Sequence, residues 1–283
     1  MNDINITIGD YHTITFESTE ILSRFRGLFI NIFNNRKSSV CTYMKIVDDR
    51  GQELNNKNFY FISFDCNVIN LKEDRNSKKT IQDLLFYYIE NNSDLLREYM
   101  LFNENIEKFL SQIEIKSGNL LIDFHSTDKT ISNFIKSLEI SIEYNDDEYV
   151  PNYIMREFLI KALLSMNVHN KNVILLLSYP ETDVGYKDIN KVISFLKGLN
   201  ITTIVITSNY EFLSAASEQN MFLINKNGEP YDIIGLKKEL KAFNFVEDES
   251  LSIVSKELAY RDFKHDYSLL DQEIKQFILS DRI

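Results

Sequence analysis

The chain has 283 residues, of which 44% are hydrophobic, and a formal net charge of −11. A chain of this length and apolar content can bury a substantial core, so these values exclude an intrinsically disordered protein. Eight glycines and three prolines are few for a loop-dense all-β protein, and no apolar run approaches the roughly 20 residues that a membrane-spanning helix needs.

The N-terminal segment predicts two short strands and a helix. Apolar and polar residues alternate over 4–8 and 14–16, on either side of a turn at Gly9, as in half-buried strands. The stretch Glu17–Glu20 provides an N-cap for a helix in which apolar residues recur at three- and four-residue spacings up to Phe33. The sequence then predicts two further strands, Val40–Val47 and Phe59–Ile69.

The middle of the sequence changes to a helical pattern after a charged, turn-like stretch at 72–80. Apolar residues recur at helical spacing between Ile81 and Ile113, which predicts an inserted domain of amphipathic helices over 76–117. A strand at Leu120–Phe124, a helix capped near Ser126 and a strand at Ile140–Tyr144 are predicted next.

Two continuous apolar runs, Asn172–Tyr179 and Ile201–Ser208, form the most informative part of the chain. A helix-length segment that ends at Gly198 joins them, which predicts a parallel βαβ unit with strands buried on both faces. A strand at Met221–Asn225 and a helix at Ile233–Phe243 follow. No GxxxxGK[ST] loop occurs in the chain, so we expect this nucleotide-type scaffold to serve binding or assembly.

These patterns predict an α/β fold with a parallel core. The segment 1–75 and the segment 118–245 form the head, 76–117 is the inserted helical domain, and 246–283 is a helical C-terminal extension. The extension looks like an appendage, because the α/β body is complete before it. Its apolar residues are expected to dock on the head or on a neighbouring subunit.

The charge and cysteine patterns restrict the partners and the compartment. Residues 81–150 contain 14 acidic and 5 basic residues, so any DNA site must be a local basic face that an oligomer concentrates by symmetry. Cys41 and Cys66 form no CxxC pair and no disulfide framework, and no secretory leader pattern opens the chain. We therefore expect a cytoplasmic protein without a membrane partner.

Catalytic motifs are scarce. The four histidines have no zinc-ligand spacing, and no GxSxG sequence occurs. Glu114 and Lys116 form a Glu-x-Lys pair that, with Asp94 or Asp123, could build a metal-dependent nuclease site; a solvated charge pair is the alternative.

Acidic side chains near the predicted strand 120–124 suggest a metal site. Asp123 and Asp128, with Glu139 and Glu143 close in sequence, offer the hard oxygen ligands that calcium prefers. Asp128 is alternatively a helix cap.

Three segments together resemble a known family. They are the capped helix and strand at Thr127–Glu143 (TDKTISNFIKSLEISIE), the strand Asn172–Tyr179 (NVILLLSY), and the closing strand and turn at Phe222–Asp232. Their order and sequences are similar to those of the type II-A CRISPR adaptation protein family Csn-two, over roughly residues 5 to 235.

The resemblance implies a fold and a function. It implies a head that looks like a degenerate P-loop NTPase without ATP binding, an inserted helical domain, and a ring-shaped homotetramer held by calcium. It also implies non-enzymatic, sequence-independent binding of linear double-stranded DNA ends, in support of spacer acquisition with the Cas-one/Cas-two integrase and Cas-nine.

Site residues carry over only in part. His125 and Ser126 replace acidic residues of the family's calcium element, so the metal site is expected at Asp123 and Asp128 alone. Local charge density, rather than a matched motif, selects the DNA-binding candidates Arg24, Arg26, Arg36, Lys37, Lys78 and Lys79. The metal-dependent nuclease and a protein-interaction scaffold without DNA binding stay open as alternatives.

Overall fold

The fold is given by a computed structural model. It describes residues 4–33, 47, 52–67, 75–113, 115–117, 120–122, 130–139, 151–165, 171–243, 247, 250–268, 270 and 272–280. The chain divides into two compact units, one formed by 1–69 together with 169–283 and the other by 70–168. The predicted helical insertion, 76–117, lies inside the second unit.

The described residues form seven strands and ten α-helices. The strands are β1 (Tyr11–Phe16), β2 (Phe59–Asp65), β3 (Ile115–Ser117), β4 (Leu120–Ile122), β5 (Asn172–Ser178), β6 (Thr202–Ile206) and β7 (Met221–Ile224). The helices are α1 (Thr19–Phe33), α2 (Arg75–Glu90), α3 (Ser93–Leu110), α4 (Ile131–Ser137), α5 (Asn152–Ser165), α6 (Ile189–Gly198), α7 (Tyr210–Ser214), α8 (Ile233–Ala242), α9 (Leu251–Phe263) and α10 (Gln272–Ser280).

The first unit is built on a five-stranded parallel sheet with the order β2-β5-β6-β1-β7. The predicted βαβ unit is confirmed: β5 pairs in parallel with β6, Leu176 lies opposite Ile204, and α6 connects the two strands. Every residue of β6 is buried, as expected for a central strand that reads as a continuous apolar run. The strand order reverses at β1, which lies between β6 and β7.

Two apolar layers cover the sheet. On one face, Phe25 and Phe29 of α1 pack against Ile14, Leu176 and Ile204 of the strands. A second cluster joins α7 and β7 to the helices that follow, through residues such as Leu213, Leu223, Leu236, Leu258 and Phe263. All five residues of β6 and the last five of β5 are buried, so these central strands are enclosed on both faces and only their ends are accessible.

The predicted strand at 4–8 is wrong. Residues 4–7 have no regular structure, and a turn follows in which the Asp10 amide donates to the Thr7 carbonyl at 3.4 Å. The physical reason is that both edges of β1 are already paired, one with β6 and the other with β7. An N-terminal hairpin strand has no edge on which to pair, and its isoleucines Ile4 and Ile6 pack instead beside the α1 cluster.

The C-terminal segment is part of the core and not an appendage. Ala259 of α9 is fully buried, and Ile278 of α10 belongs to the same apolar cluster as Leu213 and Leu223 of the head. Asp262 of α9 is also buried and accepts hydrogen bonds from the hydroxyls of Tyr231 and Tyr267. The apolar cluster of the head therefore includes residues from α8, α9 and α10 together.

The second unit is mainly helical. Helix α2 packs against α3, α4 and α5, and Phe134 of α4 contacts the rings of Tyr99 and Phe102 of α3. Strands β3 and β4 pair with each other in an antiparallel hairpin and do not join the parallel sheet. The predicted strands Val40–Val47 and Ile140–Tyr144 lie outside the described residues, apart from Val47. No helix in the described part of the chain is long and apolar enough to cross a membrane.

Candidate functional site at the carboxyl edge of the sheet

The carboxyl ends of the parallel strands define the first candidate site. In open α/β sheets ligands bind outside these ends, at the point where the strand order reverses. Here that point lies between β1 and β6, which are adjacent in the sheet. The residues that follow the strands therefore decide what this edge can bind.

The turn between β1 and α1 occupies the place where a nucleotide-binding protein has its glycine loop. Only Glu17 and Ser18 separate the strand from the helix. The Glu17 carboxylate accepts a hydrogen bond from the Lys226 amide at 2.9 Å, and the Ser18 hydroxyl accepts one from the Ile21 amide at 3.4 Å. A two-residue turn that carries a carboxylate can neither wrap around a phosphate nor attract it.

A second carboxylate closes the ends of β5 and β6. Glu181 Oε1 accepts hydrogen bonds from the amide and the hydroxyl of Ser208, at 2.9 and 3.2 Å. Tyr260 of α9 donates to the carbonyl of the same serine at 2.9 Å. The Ser208 backbone is thus bound on both sides by protein groups, and the C-terminal helix takes part in this closure.

The end of β2 carries an ion pair beside a left-handed residue. Arg26 of α1 contacts Asp65 at 2.5 Å, and both side chains are largely buried, with exposed fractions of 26% and 20%. Tyr179 has φ 57°, which is unusual for a bulky residue that precedes a proline. Burial raises the pKa of the Tyr179 hydroxyl, while the Arg26 charge lowers it in part. The Arg26 and Asp65 side chains therefore neutralise each other beside Tyr179.

The predicted DNA-binding residues lie in different places. Arg24 is exposed and pairs with Glu20 at 2.7 Å, one turn earlier in α1. Arg26 instead forms an ion pair with Asp65. Lys78 and Lys79 are exposed on α2 in the second unit. Arg36 and Lys37 lie outside the described residues, so their part in a DNA site stays a prediction.

The predicted metal and nuclease residues are mostly outside the described ranges. This applies to Asp123, Asp128, Glu143 and Glu114, while Lys116 lies in the middle of β3. Within the described residues no group of three or more His, Cys, Asp or Glu side chains could hold a metal ion. The calcium site at Asp123 and Asp128 therefore stays a prediction.

A group of three lysines was not found from the sequence. Lys197 of α6 donates to the Ala215 carbonyl at 3.0 Å, and Lys256 of α9 donates to the carbonyls of Ser214 and Ala216, at 2.5 and 3.0 Å. Lys237 of α8 pairs with Glu218 at 2.5 Å. We call these three side chains the lysine triad.

The charges of the lysine triad shift the pKa values of Lys256 and of the neighbouring Glu218. Burial lowers the pKa of the Lys256 ammonium, and the nearby charges of Lys197 and Lys237 lower it further, although Glu218 opposes this. Burial raises the pKa of Glu218, but hydrogen bonds from Lys237 and Ser252 outweigh that effect and bring it to about 2. No sequence signal could have found the triad, because its members lie 40 and 19 positions apart and on three helices.

The comparisons with known proteins show a similarity of fold. No protein-family model and no curated protein matches the chain. The crystal structure of Stu0660 of Streptococcus thermophilus matches with a TM-score of 0.54. The match covers 98% of this chain and 96% of that chain, at 12% sequence identity. The likeness at this identity shows a shared fold and nothing further.

Proposed function

We propose that this protein binds the ends of linear double-stranded DNA without reading sequence, and that it supports spacer acquisition in type II-A CRISPR adaptation. It does so as a ring-shaped homotetramer and performs no chemical step. The observation that carries the proposal is the fold shared with Stu0660 over nearly the whole of both chains, beside the sequence resemblance of this chain to the Csn-two family.

The carboxyl edge of the sheet supports a role without nucleotide chemistry. Glu17 and Glu181 follow β1 and β5 at the carboxyl ends of the strands, and each carboxylate accepts a hydrogen bond from a backbone amide, of Lys226 and of Ser208. A fold of this type that cannot hold a nucleotide still offers a rigid platform for assembly. The degenerate P-loop head, with 76–117 as its inserted domain, belongs to this proposal.

DNA binding by a chain of charge −11 needs a local basic surface. Phosphate contacts depend on local potential and counterion release, so a fourfold ring would multiply a few cations on each subunit. Arg24, Lys78 and Lys79 are exposed candidates for this role. Calcium bound by Asp123 and Asp128 would hold the ring in shape, with the Cas-one/Cas-two integrase and Cas-nine as partners in the same process.

The test compares linear and closed circular DNA. Purified protein is titrated into equal masses of each in a gel shift, with calcium and with a chelator, and the molar mass is measured in both conditions. The proposal predicts that linear DNA is bound, that sequence has no effect, and that a tetramer is present with calcium. Equal affinity for circular DNA, or no DNA binding in any condition, would contradict it; the latter is the result expected of a protein-interaction scaffold.

The nuclease alternative is tested with the same DNA. Linear duplex is incubated with magnesium or manganese and followed on a denaturing gel. Cleavage that Glu114→Ala abolishes would replace the binding proposal by a metal-dependent nuclease. Intact DNA with both metals is the expected result.

A further inference from the structure

We propose that the lysine triad, Lys197, Lys237 and Lys256, is a binding site for a phosphate group. The ligand is either a phosphate of a DNA backbone or the phosphate of a small molecule, which share this chemistry. The DNA version rests on the proposed function, whereas the small-molecule version does not.

The three ammonium groups of the triad lie around one turn. Three helices, α6, α8 and α9, each contribute one ammonium group to the same turn, residues 214–218. Lys237 pairs with Glu218, and the charges of Lys197 and Lys237 both act on Lys256, so the three ammonium groups lie close together on a protein of net charge −11. Lys237 has an exposed side-chain fraction of 36%, and Lys197 is exposed, so a ligand in solution can reach them.

Each ammonium group of the triad has more N–H donors than it uses in hydrogen bonds to the described residues. An ammonium group has three N–H donors. Toward the described residues, Lys197 and Lys237 each donate one hydrogen bond and Lys256 donates two, so every member has donors left for an anion. Lysine is a common phosphate ligand because it acts as a compact point charge, and phosphate has enough oxygens to accept from several lysines at once.

Backbone carbonyls fix the positions of two members of the triad. The carbonyls of Ser214, Ala215 and Ala216 hold Lys197 and Lys256 in place before any ligand arrives. A flexible lysine loses side-chain entropy when it binds a phosphate, but an ammonium that is already held loses less. The triad therefore differs from isolated surface lysines such as Lys187, which is exposed on the loop before α6.

The experiment removes charge from the exposed members and keeps Lys256, which anchors α9. The double variant Lys197→Gln, Lys237→Gln is compared with Lys187→Gln, Lys191→Gln, which removes the same charge from two exposed lysines elsewhere on the first unit. For each protein the affinity for a linear duplex is measured across a salt series. Inorganic phosphate is titrated separately against chloride of equal ionic strength, with the melting temperature as readout.

The expected result separates the two pairs. The slope of log K against log salt should become less steep by about 2 in the triad variant, since each lost phosphate contact removes about 0.9, and should stay unchanged in the control. Phosphate should raise the melting temperature of the wild type and of the control, but not of the triad variant.

Two other outcomes distinguish a failure of the phosphate site from a failure of the proposed function. If no DNA binds but phosphate stabilises only proteins with the intact triad, the proposed function fails and the site takes small phosphorylated molecules. If DNA binds with equal slopes in both variants and phosphate has no specific effect, the phosphate site is overturned and the proposed function survives.

Discussion

Glu181 and Ser208 join the carboxyl ends of β5 and β6: one carboxylate oxygen accepts from both the amide and the hydroxyl of the serine, at 2.9 and 3.2 Å. The second oxygen, Oε2, is buried and has no hydrogen-bond partner among the described residues. This places a negative charge at the edge where a parallel sheet usually binds its ligand. An acidic side chain thus lies at the end of the parallel sheet where such folds usually bind a ligand.

Glu181→Ala is expected to lower the free energy of unfolding by about 1 kcal/mol, the usual net contribution of such hydrogen bonds. Glu229→Ala, at an exposed position in the turn after β7, serves as the control and should have little effect. Urea unfolding followed by circular dichroism measures both. Neither variant nor the wild type should bind ATP in calorimetry; stoichiometric ATP in the wild type would contradict the interpretation of this edge.

Leu258→Ala and Ile253→Ala test whether α9 belongs to the core. The two positions lie on the same helix, but Leu258 is 3% exposed and Ile253 is 64% exposed. Loss of the buried side chain should cost about 2–5 kcal/mol, whereas loss of the exposed one should stay within about 0.5 kcal/mol. Equal effects in urea unfolding would mean that α9 is an appendage after all.

His12 should make stability depend on pH. Its ring is fully buried, stacks on Phe222, and donates through Nε2 to the Thr7 carbonyl at 2.9 Å, while Nδ1 has no partner among the described residues. Burial lowers the pKa of His12 from the ordinary value of 6.5, although Thr7 and Asp10 oppose the shift. The unfolded chain therefore binds a proton more readily than the folded one. Stability is fully present above about pH 6.5 and falls as the pH drops through that value.

The measurement for His12 is the melting temperature between pH 8 and pH 5. His12→Asn should be less stable than the wild type at pH 8 but should lose less stability on acidification. His265→Asn, at an exposed position after α9, should follow the wild-type profile. Parallel profiles for all three proteins would contradict a buried neutral histidine.

The substitutions Arg24→Ala and Arg26→Ala should change the stability of the protein by different amounts. Arg24 is exposed and its pair with Glu20 spans one helical turn, so Arg24→Ala should change stability by less than about 0.5 kcal/mol. Arg26→Ala leaves the largely buried Asp65 without its cation and should cost about 1–3 kcal/mol. If α1 faces DNA, the salt slope of duplex binding should become less steep by about 1 for Arg24→Ala. Equal stability loss in the two variants would contradict the structural role of Arg26.

The central elements of the fold could be predicted from sequence because their signals are local. Continuous apolar runs identified β5 and β6, the spacing of Phe25 and Phe29 identified the buried face of α1, and Gly198 marked the end of α6. The missing glycine loop is also visible in the sequence. It predicted a scaffold without nucleotide chemistry before any contact was known.

Only the tertiary structure decided which elements meet. The alternating pattern at 4–8 satisfies a strand locally, but β6 and β7 already occupy both edges of β1. The polar residues of α9 made it look peripheral, yet Leu258 and Ala259 complete the apolar cluster of the head. Likewise Lys197, Lys237 and Lys256 come together only because three helices pack around one turn. A sequence pattern records which residues are buried and at what period, whereas the choice of neighbours depends on contacts between distant segments.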